Sequence, residues 1–255
     1  MLFLDADDEL LPGLWQALPP ALQARPGLVL FGMERASGPA PCPLAPGRWD
    51  TLADLGAALD PLLFESGYLA APYPKLFRAD VIRQAGLRFN EALAVNEDVL
   101  FNLEYLAACG ARPLICCLGG RYYRQNDLAG GSLSRRLRGD LLDAEAVTRP
   151  ALDRLLRGAG WDDAERTALL TKSRVRAALN QYGLLTGRGG AMPFARRRAL
   201  FARILADGEA RAALRARLRQ DPNRLAALPY RLGAALRAPG MLAAYTMVKN
   251  RLLGL

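Results

Sequence analysis

The hydrophobic pattern of the chain changes type near residue 135, and this change limits the folds that it can adopt. Before that point, short apolar runs of strand length, such as residues 28–33 and 113–118, alternate with segments of helical periodicity. Beyond residue 137 the pattern is helical throughout, and glycines and prolines separate five or six helices. The sequence therefore predicts an α/β part, with helices packed on a sheet, followed by an all-α part.

The charge divides at nearly the same position. Residues 1–130 contain 15 acidic and 10 basic residues, a net charge of −5, whereas residues 131–255 contain 10 and 24, a net charge of +14. The excess positive charge of the chain, +9 in all, therefore belongs to the helical part. A basic helical surface is typical of a protein that contacts an anionic membrane or glycan, and equally of a solvated, arginine-rich appendage. Because no nucleic-acid-binding module is recognised, we predict no nucleic-acid partner.

The absence of histidine excludes several kinds of active site. A Ser-His-Asp or Cys-His nucleophile, a histidine-ligated zinc and a histidine general base all need this side chain. The four cysteines include no C-x-x-C pair. We therefore interpret them as small, buried, hydrophobic side chains of a protein in a reducing compartment. Acid–base chemistry must then use carboxylates, cysteine, tyrosine or lysine.

The sequence contains no leader-like segment and no apolar run that approaches 18 residues. We therefore predict a cytoplasmic protein, with peripheral contact at the inner face of the membrane as a further option.

The first acidic segment is Asp5-Ala6-Asp7-Asp8, which directly follows the apolar run MLFL. Three carboxylates this close together repel one another unless a cation or water neutralises them, and a hard ion such as Mg²⁺ or Mn²⁺ prefers such oxygen ligands. Ligands of open α/β sheets also bind beyond the carboxyl ends of strands. The alternative is a solvated acidic turn that caps a helix starting near Leu10.

The second acidic segment, Asn96-Glu97-Asp98, opens a predicted helix over residues 97–109. In one interpretation Asn96 is the N-cap and the two acids are favoured by the helix dipole. In the other, a carboxylate held ionised at the helix N-terminus serves as a general base.

Three stretches together resemble the family 2 glycosyltransferases of the GT-A fold. Residues 1–13 (MLFLDADDELLPG) are similar to the D-x-D segment of that family. Residues 72–106 (PYPKLFRADVIRQAGLRFNEALAVNEDVLFNLEYL) are similar to its K-L-F stretch and E-D dyad, and residues 121–134 (RYYRQNDLAGGSLS) to its tyrosine-rich strand and serine-containing loop. The resemblance implies a partial GT-A (Rossmann-like) domain over residues 1–135 and a basic helical region over residues 136–255.

The resemblance assigns the first acidic segment and a lysine to the donor site. Asp5 and Asp7 match the D-x-D acids, which bind a divalent cation, Mn²⁺ or Mg²⁺, that bridges the diphosphate of the donor. Asp8 is an adjacent candidate for the same role. Lys75, in the K-L-F segment, is expected beside the diphosphate, with a surface lysine as the alternative.

The resemblance also implies a reaction. Asp98 matches the general base of inverting family members, and Glu97 would orient the acceptor or Asp98 itself. Tyr122, Tyr123 and Arg124 either line the sugar or phosphate site or belong to the core. The implied activity is transfer of a sugar from a nucleotide-sugar donor to a hydroxyl of a carbohydrate or lipid-linked acceptor, in surface polysaccharide or glycolipid synthesis.

One part of the family pattern is absent from the sequence. Family members begin with a strand of the type V-S-V-I-I-P-x-Y-N and further units that bind the nucleobase and ribose, whereas Met1 stands directly before the D-x-D strand. We therefore expect a truncated product or a misplaced start, with little or no transferase activity. The alternative is a non-catalytic remnant or interaction protein whose basic helices bind an anionic membrane or glycan.

Overall fold

The computed structural model describes residues 1–35, 38–40, 42–66, 68–126, 141–187 and 192–253. The chain forms two compact units. The first comprises Met1–Leu133 with Val147–Leu169, and the second comprises Ser134–Ala146 with Leu170–Leu255. Residues 147–169, which the sequence pattern assigned to the helical part, thus pack with the first unit.

The first unit is built on a mixed six-stranded sheet, which confirms the α/β class. The described strands are β1 (Glu9–Leu10), β2 (Leu28–Arg35), β3 (Gly38–Ala40), β4 (Gly47–Trp49), β5 (Lys75–Phe77) and β6 (Ile115–Gln125). Strands β2 and β6 pair in parallel, whereas β2 with β3 and β5, and β6 with β1 and β4, pair antiparallel. The run from Leu28 to Met33 is buried, as expected of a central strand covered on both faces.

The predicted strand at the start of the chain was wrong. Only Leu2 makes a bridge, to Leu76 beside β5, and Phe3 instead packs edge-on against the ring of Phe77 at 5.4 Å. The helix that one interpretation placed near Leu10 begins four residues later, at Leu14, because Leu10 lies in β1 and pairs with Tyr123.

The helices of the first unit begin with α1 (Leu14–Leu22), α2 (Ala79–Gln84) and α3 (Glu97–Ala108). The apolar spacing of residues 51–64 predicts a single helix capped by Thr51. This prediction was wrong, because Gly56 has a φ of +48° and interrupts the helical backbone, and the segment contains a short 3₁₀ helix over Ala53–Ala58 and a π turn over Pro61–Glu65. Leu52 occupies the N-cap position, although the hydroxyl of Thr51 accepts from the amide of Asp54 at 3.2 Å.

Six helices follow in the described part of the chain, as the sequence predicted: α4 (Leu141–Gly158), α5 (Asp163–Thr186), α6 (Phe194–Ala206), α7 (Gly208–Arg219), α8 (Arg224–Ala235) and α9 (Pro239–Leu252). The core of the second unit is apolar and aromatic, with Tyr182, Phe201, Tyr230 and Leu242 among its buried members. None of the described helices combines the length and apolar character needed to cross a bilayer.

Candidate functional site

The acidic segment forms a turn that is anchored through Asp8. The amide of Asp8 donates to the carbonyl of Asp5 at 3.1 Å, which closes the turn. The Asp8 carboxylate accepts hydrogen bonds from the hydroxyl of Tyr123 at 2.5 Å and from the backbone amide of Asn126 at 2.9 Å. The side-chain amide of Asn126 also donates to the carbonyl of Asp7 at 2.8 Å. The end of β6 therefore holds the turn in place.

This anchoring leaves the side chains of Asp5 and Asp7 exposed at the surface. Among the described residues, no hydrogen bond or ion pair engages either carboxylate. Partial burial and the negative charges of Asp8 and Asp7 raise the pKa of Asp5. A bound cation would relieve this repulsion.

The donor set suits an ion that is shared with a phosphorylated ligand. No cluster of three or more acidic or cysteine side chains in the described ranges could hold a metal ion. Mg²⁺, however, is commonly bound by one or two carboxylates together with substrate phosphates and water. Asp5 and Asp7 fit that arrangement, in which the ligand supplies the remaining oxygens.

Asp98 lies in the first turn of α3, as the helical pattern predicted. Asn96 occupies the N-cap position with a left-handed backbone (φ +64°), but its side chain does not cap the helix. The carboxylate of Asp98 instead accepts from the amide of Val99 at 2.8 Å. Burial raises the pKa of Asp98, and Glu97 beside it acts in the same direction. Asp98 is therefore a half-buried carboxylate with increased proton affinity.

Tyr73 connects the two acidic segments. Its ring stacks on that of Tyr123 with centroids 5.1 Å apart and planes within 5° of parallel. Burial raises the pKa of Tyr73, and so do the charges of Asp5, Asp8 and Asp98. The stacked Tyr123 donates its hydroxyl to Asp8, so the acidic turn lies next to the Tyr73 ring. The fold thus brings together two segments that lie about 90 residues apart.

Lys75 supports the site from the interior. Its side chain is fully buried, and its ammonium donates to the carbonyls of Tyr68 and Ala71, the latter at 2.6 Å. Burial lowers the pKa of Lys75 to about 7, while the charges of Asp98 and Cys42 act in the opposite direction. Because no part of the Lys75 side chain is exposed, the alternative of a surface lysine was wrong, and the residue holds the loop 68–71.

Asn102 ties the same loop to helix α3. Its side-chain amide donates to the carbonyl of Ala70 and to that of Asp98, each at 2.7 Å. Asn102 is buried, so both bonds are shielded from water. The position of Asp98 is therefore coupled to the loop that Lys75 holds.

The tyrosine-rich strand contributes one of its three candidate residues to the site. Tyr123 is buried against Tyr73, whereas Tyr122 points to the other face and packs edge-on against Phe31. Arg124 is exposed and pairs with Glu9 and Glu34 at the surface of the sheet. The serine-containing loop of the resemblance, residues 127–134, lies outside the described residues.

Sequence analysis missed two residues of this site. Tyr73 falls within the motif stretch without drawing attention, although its place directly before the K-L-F segment was a usable signal. No sequence pattern identifies Asn126 as a site residue, because its role depends on the pairing of β1 with β6.

A separate open groove of about 590 Å³ lies on another side of α3. Arg88, Phe89, Glu104 and Arg154 contribute to its walls, and none of the predicted site residues does. We therefore place the candidate site at Tyr73 rather than in this groove.

The chain matches no protein-family model, and a search of curated proteins finds no significant relative.

Proposed function

We propose that the α/β unit is a partial GT-A domain of a family 2 type glycosyltransferase. It would transfer a sugar with inversion from a nucleotide-sugar donor to a hydroxyl of a carbohydrate or lipid-linked acceptor. Synthesis of a surface polysaccharide or glycolipid is the process that the resemblance favours.

The convergence of the two acidic segments on Tyr73 carries this proposal. Asp8 is linked to this phenol through Tyr123, whose hydroxyl donates to Asp8 and whose ring stacks on Tyr73. Asp98 is linked to the loop that precedes Tyr73 through Asn102, which donates to the carbonyls of Ala70 and Asp98. Glycosyl transfer needs a general base on one side of the reacting carbon and charge neutralisation at the leaving group on the other. The exposed carboxylates of Asp5 and Asp7 and the half-buried carboxylate of Asp98 could supply these two functions.

Asp98 is suited to the proton transfer. Its carboxylate would take the proton of the acceptor hydroxyl while that oxygen attacks the anomeric carbon. The bond from this carbon to the diphosphate oxygen would break on the opposite face, and its electron pair would leave with the nucleoside diphosphate. The raised pKa of Asp98 strengthens it as a base. Glu97, the neighbouring acid, would orient the acceptor.

Asp5 and Asp7 would hold the divalent cation, Mn²⁺ or Mg²⁺, which as a Lewis acid neutralises charge on the departing diphosphate. Their carboxylates are exposed, while Asp8 and Asn126 keep the turn in place. The hydroxyl of Tyr123 donates a hydrogen bond to Asp8 and so fixes the position of that carboxylate.

Titration calorimetry of a nucleoside diphosphate, with and without Mn²⁺, tests the donor side of the proposal. We expect binding that requires Mn²⁺ and is lost in Asp7→Ala. Glu91→Gln removes an exposed acid outside the site and is the matched control, for which binding should be unchanged. Mn²⁺-dependent binding that survives Asp7→Ala would contradict the assignment of the metal ligands.

Turnover tests the acceptor side. In a catalytically complete protein, Asp98→Asn should lower kcat by about 10²–10⁴-fold without weakening nucleotide binding, since it removes a general base. Glu104→Gln, on the same helix but away from Tyr73, is the matched control. A fully active Asp98→Asn enzyme would exclude Asp98 as the base.

A further inference from the structure

Helix α8 carries apolar side chains on two opposite faces. One face is buried, at Ala227, Tyr230 and Ala234, and the last two belong to the core of the second unit. The other face meets solvent, and Leu225 and Leu236 are 85% and 71% exposed. The exposed leucines recur three or four residues apart, which places them on one side of the helix, at positions 225, 228, 232 and 236.

Helix α9 repeats this arrangement. Its buried face consists of Leu242, Ala243, Thr246 and Asn250, while its opposite face exposes further apolar residues, at positions 241, 248 and 252. The spacing of seven and four residues again defines one side of the helix.

The two exposed faces form one surface. Helices α8 and α9 pack side by side, with the rings of Tyr230 and Tyr245 4.9 Å apart. They also approach closely at Gly233, where a Cβ atom would clash with the side chain of Leu242. Because both buried faces enter the same core, both exposed faces point away from it. We call this surface the leucine face: Leu225, Leu228, Leu232, Leu236, Met241, Val248 and Leu252.

Positive charge surrounds the leucine face. Residues 222–255 contain five basic residues and no acidic one. Four of the basic residues are exposed arginines, and within the described ranges none of them forms an ion pair: Arg224, Arg231, Arg237 and Arg251. By contrast, Arg174 in α5 is neutralised by Asp207 at 2.9 Å and by Glu209 at 2.7 Å. The segment that carries the leucine face therefore presents positive charge without any acidic residue to neutralise it.

These two properties identify one kind of partner. A second copy of the chain would bring two faces of the same charge together, which is unfavourable. A soluble polyanion would match the arginines but leave the leucines in water. An anionic bilayer satisfies both, because apolar side chains enter the acyl boundary while arginines remain among the headgroups.

We propose that α8 and α9 lie on the surface of a bilayer that contains anionic lipids, with the leucine face inserted at the interface. This surface acts independently of the transferase site, since none of its residues belongs to that site. Vesicle binding therefore remains measurable whether or not the chain transfers sugar.

Flotation of the full chain with vesicles tests the apolar contribution. We expect binding to vesicles of phosphatidylglycerol and phosphatidylcholine, and much weaker binding to phosphatidylcholine alone. The double variant Leu228→Ser/Leu232→Ser should bind at least about tenfold more weakly, because two inserted leucines are lost. Leu22→Ser changes a leucine of α1 that is 45% exposed and should leave binding unchanged.

The arginines provide a second, independent test. Arg224→Gln/Arg231→Gln should weaken binding to the anionic vesicles by about fivefold for each arginine removed, and high salt should have the same effect. Both arginines are exposed, so circular dichroism should be unchanged in this variant.

Three results would overturn the proposal. The first is vesicle binding that neither double variant reduces. The second is a dimer that Leu228→Ser/Leu232→Ser dissociates, with no vesicle binding, because a second copy would then occupy the face. The third is binding to heparin through the arginines without any binding to vesicles, which would identify an anionic glycan as the partner.

Discussion

Replacing Lys75 with methionine should destabilise the first unit in a pH-dependent manner. The lysine ammonium donates to the carbonyls of Tyr68 and Ala71 within a fully buried environment. Methionine keeps most of the aliphatic volume, so little cavity is created. The change thus removes two hydrogen bonds and one titratable group while preserving the packing.

The hydrogen bonds set the size of the effect at high pH. A buried carbonyl that loses its donor costs about 1–3 kcal/mol, so two of them predict a loss of about 2–6 kcal/mol near pH 10. At this pH the lysine is neutral in the folded protein and the variant removes no charge.

The lowered pKa sets the pH dependence. The folded protein releases the proton of Lys75 near pH 7, whereas the unfolded chain holds it until about pH 10.5. Between these values the unfolded state binds more protons, so stability rises with pH by about 1.4 kcal/mol per pH unit. The stability that Lys75 contributes is therefore fully present above pH 10.5 and is lost as the pH falls to about 7. Lys75→Met removes it.

Urea unfolding measured between pH 7 and pH 10 provides the assay. Trp15, Trp49 and Trp161, which are all of the tryptophans, lie in the first unit, so their fluorescence reports its unfolding. The difference between wild type and Lys75→Met should widen by about 1.4 kcal/mol for each pH unit between pH 8 and pH 10. A difference that stays constant over this range would refute the burial argument, and no difference at any pH would refute the role of the hydrogen bonds.

Two further predictions concern the surroundings of the site. Tyr123→Phe should lower the free energy of unfolding by about 1–3 kcal/mol, because it removes a buried donor to Asp8, whereas Tyr122→Phe should change it by less than about 0.5 kcal/mol in the same urea assay. Cys42 should react fastest of the four cysteines with iodoacetamide, since a hydrogen bond from Cys117 lowers its pKa; mass spectrometry would locate the label, and rapid labelling that persists in Cys42→Ser would disprove this.

Local pattern predicted the elements whose own residues decide their structure. The buried run of β2 and the helical spacing of α3 were identified because each is continuous and strongly apolar. The segment over residues 51–64 was misjudged, since its apolar spacing is helical but Gly56 adopts a left-handed backbone. The start of the chain was misjudged for a different reason. Phe3 is used in an aromatic cluster rather than in a strand, and periodicity cannot distinguish these two uses.

Some residues of the candidate site could likewise be predicted from local pattern, and others could not. Asp5, Asp7 and Asp98 could be proposed from the sequence because acidic residues clustered after an apolar run or at a helix start have a recognisable local context. The burial of Lys75 could not, because it depends on the pairing of β5 with the central strand β2. A residue that is polar in sequence is expected at the surface unless distant segments enclose it.

The sequence by itself determined the class of the fold, the division of charge along the chain and the restriction to chemistry without histidine. These properties follow from composition and periodicity, which do not require long-range contacts. Tertiary structure decided which side chains meet: the parallel pairing of β2 with β6 and the anchoring of the acidic turn at Asn126 bring Asp8 and Asp98 to the same tyrosine. It also decided that the leucines of α8 face away from the core, because a helix with two apolar faces can bury only one of them against its neighbours.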